Sequence, residues 1–403
     1  MTNASARLSL GFSCVGHTYS HLLTLLFPTV VLALEKEMGL PYDELIALAL
    51  AGNLLFGAAA LPAGWLGDRF GPAWLMVIFF VGTGAATILT GLVDTPLGIA
   101  AGLALTGLFG AIYHPVGIAW LVQNAENRGR SLGVNGVFGS IGVAAAPVVA
   151  GALTDFAGWR MAFIVPGVVC LATGLVLWVY VRGGSVMQSR TDRKPEPPAS
   201  RDDVIRAFLV LSVTMLAAGL IYTALIVAMP KIYAERMHGL VGDGATGAGI
   251  LVSLVFLSAS GAQILGGWFA DRYKLKYVYI VCFAIQMPLF LFAASATNLP
   301  LFAATSFAIM MTSASIPAES GMLARYTPVG WRSTAFGAKF VLSLGVSALA
   351  VPLISVIYGA TGGFFWLFVA LAMFSLTIVV FGLLLPGGEA ERAPQPAPAT
   401  GDD

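Results

Sequence analysis

The sequence predicts an all-α integral membrane protein, with twelve transmembrane helices arranged as two pseudo-symmetric six-helix halves. Three observations carry that expectation. Hydrophobic residues make up 58% of the chain and charged residues 10%, against about 25% charged in a soluble domain. That leaves too few polar side chains to cover a water-facing surface. The charges fall between long apolar runs rather than within them. Finally, the turn Gly64-Trp65-Leu66-Gly67-Asp68-Arg69-Phe70-Gly71 returns half a chain later as Gly267-Trp268-Phe269-Ala270-Asp271-Arg272-Tyr273-Lys274. The second half therefore repeats the first. A net charge of +1 gives no basis for nucleic acid as a partner.

A helix needs about 20 apolar residues to cross the hydrocarbon. Runs of that length fall at 8–34, 44–66, 73–93, 97–122, 132–154 and 160–182, then at 204–230, 245–269, 277–296, 299–325, 334–358 and 364–385. They lack the two-residue alternation of a barrel strand, and in lipid a helix is the remaining way to satisfy the backbone. These runs divide into six-helix bundles at 1–182 and 204–385. Between them, residues 183–203 carry Arg190, Arg193, Lys194, Pro195, Pro197 and Pro198 and read as a polar linker. Residues 386–403 are rich in Pro and Ala and read as a disordered tail. The first run is too long for a cleavable leader and ends in no cleavage site. Cys14, Cys170 and Cys282 lie far apart inside apolar runs and read as small core residues.

Basic residues orient the chain. With a cytoplasmic N-terminus, Arg7, Arg69, Arg128, Arg130, Arg182, Arg190, Arg193, Lys194, Arg201, Arg206, Arg272, Lys274, Lys276, Arg325, Arg332 and Arg392 all fall on the cytoplasmic side. Only Lys36, Arg160, Lys231 and Arg236 fall outside. The positive-inside rule then places both termini and both Asp-Arg turns in the cytoplasm of a bacterial inner membrane.

Two six-helix halves, a basic central linker and the Gly-x-Leu-x-Asp-Arg-x-Gly turn after the second segment resemble the major facilitator superfamily. Pro72 and Ala73 stand where that family usually carries basic residues. The resemblance implies a gate in which Asp68, with Arg69, faces the N-terminal end of the eleventh helix, where the helix dipole favours a carboxylate. Asp271 and Arg272 would be its repeat. The alternative is a pair of turns whose charges only set orientation. Arg128-Gly129-Arg130-Ser131-Leu132-Gly133 similarly aligns with Arg332-Ser333-Thr334-Ala335-Phe336-Gly337. The fifth segment continues with Gly136, Gly139, Gly142, Pro147 and Gly151. That pattern resembles the glycine-proline motif of drug antiporters, and tight packing explains it equally well.

Charge in hydrocarbon is costly, so intramembrane polar residues are the functional candidates. The first segment carries His17 and His21, four apart and on one face. The fourth carries Tyr113-His114-Pro115. Counting inward at about 1.5 Å per residue places His17 and His114 at similar depth, roughly 14 and 12 Å. Helix 1 with a histidine, and an aromatic-His-Pro on helix 4, resemble the fosmidomycin-resistance-type efflux transporters; His21 stands where that group carries an acid. Imidazole titrates near neutral pH and is a reasonable proton carrier. No thiolate or carboxylate joins the three histidines, so no metal is expected there. In the second half, Glu319 and Lys339 lie at matching depths of roughly 8–9 Å. Either Lys339 attracts an anionic substrate while Glu319 exchanges a proton, or the two form a static salt bridge. Asn53, Tyr222, Gln263 and Gln286 are further cavity candidates.

These readings converge on a secondary transporter of a small molecule, working by alternating access in the lipid bilayer, driven by protons and exporting its substrate. Uptake of an organic anion through Lys339 is the alternative, and a non-transporting sensor the second. No Gly-x-x-x-x-Gly-Lys-[Ser/Thr] loop is present for ATP, and no nucleophile–base constellation for an enzyme. No cofactor is expected, and a monomer is.

Overall fold

A computed structural model describes residues 3–125, 128–186, 201–240, 242, 244–326, 339 and 341–386. Among these residues it is all-helical, with twelve helices long and apolar enough to cross a membrane. The first half holds α1 (Ser5–Met38), α2 (Tyr42–Gly67), α3 (Pro72–Leu92), α4 (Pro96–Asn124), α5 (Ser131–Ala157) and α6 (Trp159–Arg182). The second holds α7 (Ile205–Arg236), α8 (Ala245–Arg272), α9 (Leu275–Ala293), α10 (Asn298–Leu323), α11 (Val341–Thr361) and α12 (Phe365–Leu383). The linker residues 187–200, the tail from 387 and residues 327–338 lie outside the described residues, and the expectations for them stay untested.

Hydropathy sets the spans, and proline and glycine shape them. α1 breaks after Thr24 and resumes at Phe27, where Pro28 occupies the first turn and needs no hydrogen-bond partner. Its second piece runs to Met38, past the expected end at 34, and stops at Gly39, whose left-handed backbone closes the helix. In α4, Tyr113–Gly117 form a π-turn around Pro115. A π-turn shifts the backbone register and re-aims side chains, and such turns gather at functional sites.

The halves repeat each other in packing. α3 lies along α6, and α9 along α12. Between the halves, α5 packs on α8 and α2 on α11. The face bearing the two Asp-Arg turns is here called the turn face. Close approach of α5 and α8 occurs on the opposite face, where a Cβ added at Gly151 would sit 2.6 Å from the Ala245 carbonyl oxygen. Nearer the turn face the same helix is open, and a Cβ at Gly133 or Gly136 would meet nothing within 4 Å. The glycine stripe of α5 thus serves contact on one side of the membrane and free space on the other. On the turn face, Lys276 donates to the Leu383 and Leu385 carbonyls at 2.8 and 2.7 Å, and Arg206 to the Leu384 carbonyl at 2.7 Å. Two cations thereby close the negative end of the α12 dipole. Cys14, Cys170 and Cys282 are buried and free.

Candidate functional site

A cavity of about 380 Å³ lies between the halves, from mid-membrane toward the turn face. His17 and His21 of α1 and His114 of α4 form one wall; Glu319, Ser320 and Lys339 line the other. The three imidazoles gather into one cluster. Ring centroids are 5.1 Å apart for His17–His21, 5.4 Å for His17–His114 and 5.3 Å for His21–His114. One ring nitrogen from each lies within 4.8 Å of the others.

A second layer holds this wall. His17 Nδ1 lies 2.8 Å from the Asn135 carbonyl oxygen. A carbonyl only accepts, so Nδ1 carries the proton and, in the neutral ring, Nε2 keeps its lone pair. The Asn135 amide donates to the Tyr113 hydroxyl at 2.8 Å, and that hydroxyl donates to the Ser13 carbonyl at 2.9 Å. The Tyr113 ring stacks on His17 at 4.9 Å. Tyr113 is fully buried and outside the cavity lining. Its ring lies against His17 and its hydroxyl joins Asn135 to Ser13, so Tyr113 stands behind the wall rather than in it. Removing its hydroxyl takes one acceptor from the buried Asn135 amide, at a cost of about 1–3 kcal/mol. Tyr113→Phe is therefore expected to lower the thermal unfolding midpoint; an unchanged midpoint would show that the network contributes nothing.

On the opposite wall, the Lys339 ammonium lies 2.8 Å from Glu319 Oε1 and donates to Ser320 Oγ at 3.0 Å. Tyr279 donates to Glu319 Oε2 at 3.2 Å. Side-chain exposure is 12% for Lys339 and 8% for Glu319, so the charges satisfy each other away from water. Tyr222 and Gln263 line the same cavity. Gln286 does not. It is buried, donating to the Ala308 carbonyl at 2.7 Å and to Thr312 at 2.5 Å and accepting from Ser375 at 3.1 Å, and it ties α9 to α10 and α12. Asn53 also lies elsewhere, donating to the Ala49 carbonyl at 2.9 Å within α2.

The opposite face is closed by polar contacts between the halves. Lys231 of α7 reaches both oxygens of Glu35 of α1 at 2.7 Å and Glu235 at 3.5 Å. It sits 5.5 Å over the Tyr42 ring and 5.9 Å over that of Tyr358, whose hydroxyl donates to Glu235. Beside it, the Asp155 carboxylate at the end of α5 accepts from the Ala245 and Thr246 amides at 3.0 and 2.8 Å and from the Thr246 hydroxyl at 2.5 Å. An acid from one half thus caps the first helical turn of α8 in the other.

The major facilitator superfamily model matches residues 13–242 and again 211–401, once for each half. The chain belongs to the major facilitator superfamily. Its members are transporters and not enzymes. A probable sulfoacetate transporter of Cupriavidus necator is 27% identical over 45% of this chain and 43% of its own length. A probable L-galactonate transporter of Escherichia coli is 26% identical over 60% of this chain and 56% of its own. The matched stretch thus spans about half the length of these relatives. A puromycin resistance protein of Streptomyces alboniger is 30% identical over 38% of this chain and 32% of its own. Among solved structures, a bacterial homolog of the human lysosomal transporter Spinster, in an inward-facing and unoccupied conformation, superposes with a TM-score of 0.71. It covers 96% of this chain and 95% of its own, at 15% identity, and so shares the fold.

At the two Asp-Arg sequences the arginines repeat one contact. Arg69 lies 5.5 Å over Trp65, and Arg272 lies 4.0 Å over Trp268 and donates to its carbonyl at 3.3 Å. Each guanidinium rests on the tryptophan one helical turn back, a repeat the sequence carried in Trp65–Arg69 and Trp268–Arg272. The facing of Asp68 to the start of the eleventh helix falls outside the described residues. Tyr279 and the Glu35–Lys231–Glu235 set were not singled out from sequence. Lys231 sits at the end of an apolar run and reads as a flanking charge until its distant partner is seen.

Proposed function

We propose that this transporter carries a small organic anion across the bacterial inner membrane, with both termini cytoplasmic, and couples the movement to protons. The carrying observation is the shared cavity, with three imidazoles on one wall and the Glu319–Lys339 pair on the other. A substrate carboxylate, sulfonate or phosphate competes with Glu319 for the Lys339 ammonium. Protonation of Glu319 or of an imidazole favours that exchange, because it leaves the cavity net positive. Two relatives, named as probable transporters of sulfoacetate and of L-galactonate, support the same class of substrate. Efflux is the direction that the aromatic-His-Pro resemblance on α4 supports. In the alternating-access scheme, the closed opposite face and the cavity reaching the turn face correspond to access from the cytoplasm.

Counterflow in proteoliposomes tests the substrate class. Organic sulfonates, sugar acids and sugar phosphates are expected to compete for exchange, and competition confined to cationic antimicrobials would overturn the anion reading. An imposed gradient distinguishes direction: an acidic lumen facing the opposite-face ends of the helices is expected to drive efflux, and accumulation in the reverse sense would make it an uptake system.

A further inference from the structure

We propose that His17, His21 and His114 form a binding site for one divalent transition cation of the zinc class, on the cavity wall. Their ring nitrogens lie within 4.8 Å of one another. Three nitrogens held at about 2.0–2.1 Å around a tetrahedral ion stand roughly 3.4 Å apart. The rings must therefore close by at most roughly 1.4 Å, a change that rotation of the side chains supplies where they border the open cavity. His17 is oriented for the task. The Asn135 carbonyl holds its Nδ1 proton at 2.8 Å, the outer contact that metal-ligating histidines make, and Nε2 remains for the ion.

The donor set selects the ion. Imidazole nitrogens suit zinc, nickel, copper and iron, whereas calcium and magnesium demand oxygen ligands. Three neutral ligands leave both charges of the ion uncompensated and one tetrahedral position open toward the cavity. An anionic oxygen fits that position, so a carboxylate or phosphate in the cavity is held by the ion on one wall and by Lys339 on the other. This last step rests on the anion reading above; the metal site itself does not.

The sequence argued against a metal because no acid or thiol accompanies the histidines. The geometry answers that objection, since three imidazoles and a solvent or substrate oxygen complete a tetrahedral site. Imidazoles also suit the membrane interior better than carboxylates do, because the form that binds a metal is neutral.

Untagged protein in lipid nanodiscs, titrated with cobalt(II) as a spectroscopic probe, tests the site. The expected result is saturation at one ion per chain, with the visible bands of tetrahedral cobalt, displaced by zinc. His21→Gln and His114→Gln are each expected to weaken binding at least about tenfold, and His238→Gln, on the opposite-face vestibule, to leave it unchanged. Absence of saturable binding to the folded wild type would overturn the proposal, as would unchanged binding in the triple variant His17→Gln, His21→Gln, His114→Gln. A shift of the cobalt bands on adding an organic acid would place the anion on the ion; unshifted bands with one-to-one binding would retain the metal site and remove the anion from it.

Discussion

Gradient-driven flux through a Glu319→Gln variant is expected to fall by on the order of 100-fold. Glu319 neutralises Lys339 at 2.8 Å in a site where both side chains are almost fully covered. Glutamine keeps the shape and removes the charge, so the ammonium is left without a counter-ion. Breaking a buried pair from one side costs about 3–5 kcal/mol of folding stability, and the loss of flux adds to it because the carboxylate that exchanges the proton is gone. That loss alone would also follow from a static salt bridge, so a second variant is needed. Glu319→Gln combined with Lys339→Met removes both charges and is expected to recover the unfolding midpoint, since apolar replacement of a buried pair is often neutral or better. Flux is expected to stay lost. Recovery of flux along with stability would reduce the pair to a structural brace.

The second large effect is expected at Lys231. Its ammonium stands between Glu35 of the first half and Glu235 of the second. Lys231→Met leaves two carboxylates facing each other where one cation joined them, together with Asp155 nearby in the same vestibule. Repulsion at that place favours separation of the halves on the opposite face. Spin labels on Lys36→Cys and His238→Cys, read by pulsed dipolar spectroscopy, are expected to show a longer distance in Lys231→Met. The native cysteines are buried and so are poor labelling sites. Adding Glu35→Gln removes the repulsion and is expected to shorten the distance again. Identical distributions in all three proteins would mean that the Asp155 cap from α5 to α8 and the glycine contact of α5 hold the face closed without Lys231.

Much of this architecture is legible in the sequence because lipid imposes it. Twelve apolar runs admit helices alone, and the repeated turn reveals the duplication. The limits were clearest where a partner lies far along the chain. Glu35 reads as the polar end of a span, yet α1 continues to Met38 and the partner of Glu35, Lys231, stands 196 residues away. The histidine cluster was partly visible, since His17 and His21 share a helical face and His114 lies at their depth. The π-turn at Tyr113–Gly117 was not, as hydropathy carries no sign of a register shift. Gln286 shows the opposite error. Its polarity suggested the cavity, but Ala308, Thr312 and Ser375 satisfy it within one half. Polarity marks a buried residue as needing partners, and only packing says whether those are protein or substrate.

The most direct test of coupled transport through this cavity is flux of a counterflow-competent organic acid into and out of proteoliposomes, with a chelator present to exclude metal. Wild type is measured with and without an imposed proton gradient, beside the His17→Gln, His21→Gln, His114→Gln variant. The account predicts that the gradient accelerates wild-type flux and that the variant, though folded, loses the acceleration. Flux that ignores the gradient in wild type, or acceleration that survives in the variant, would contradict it.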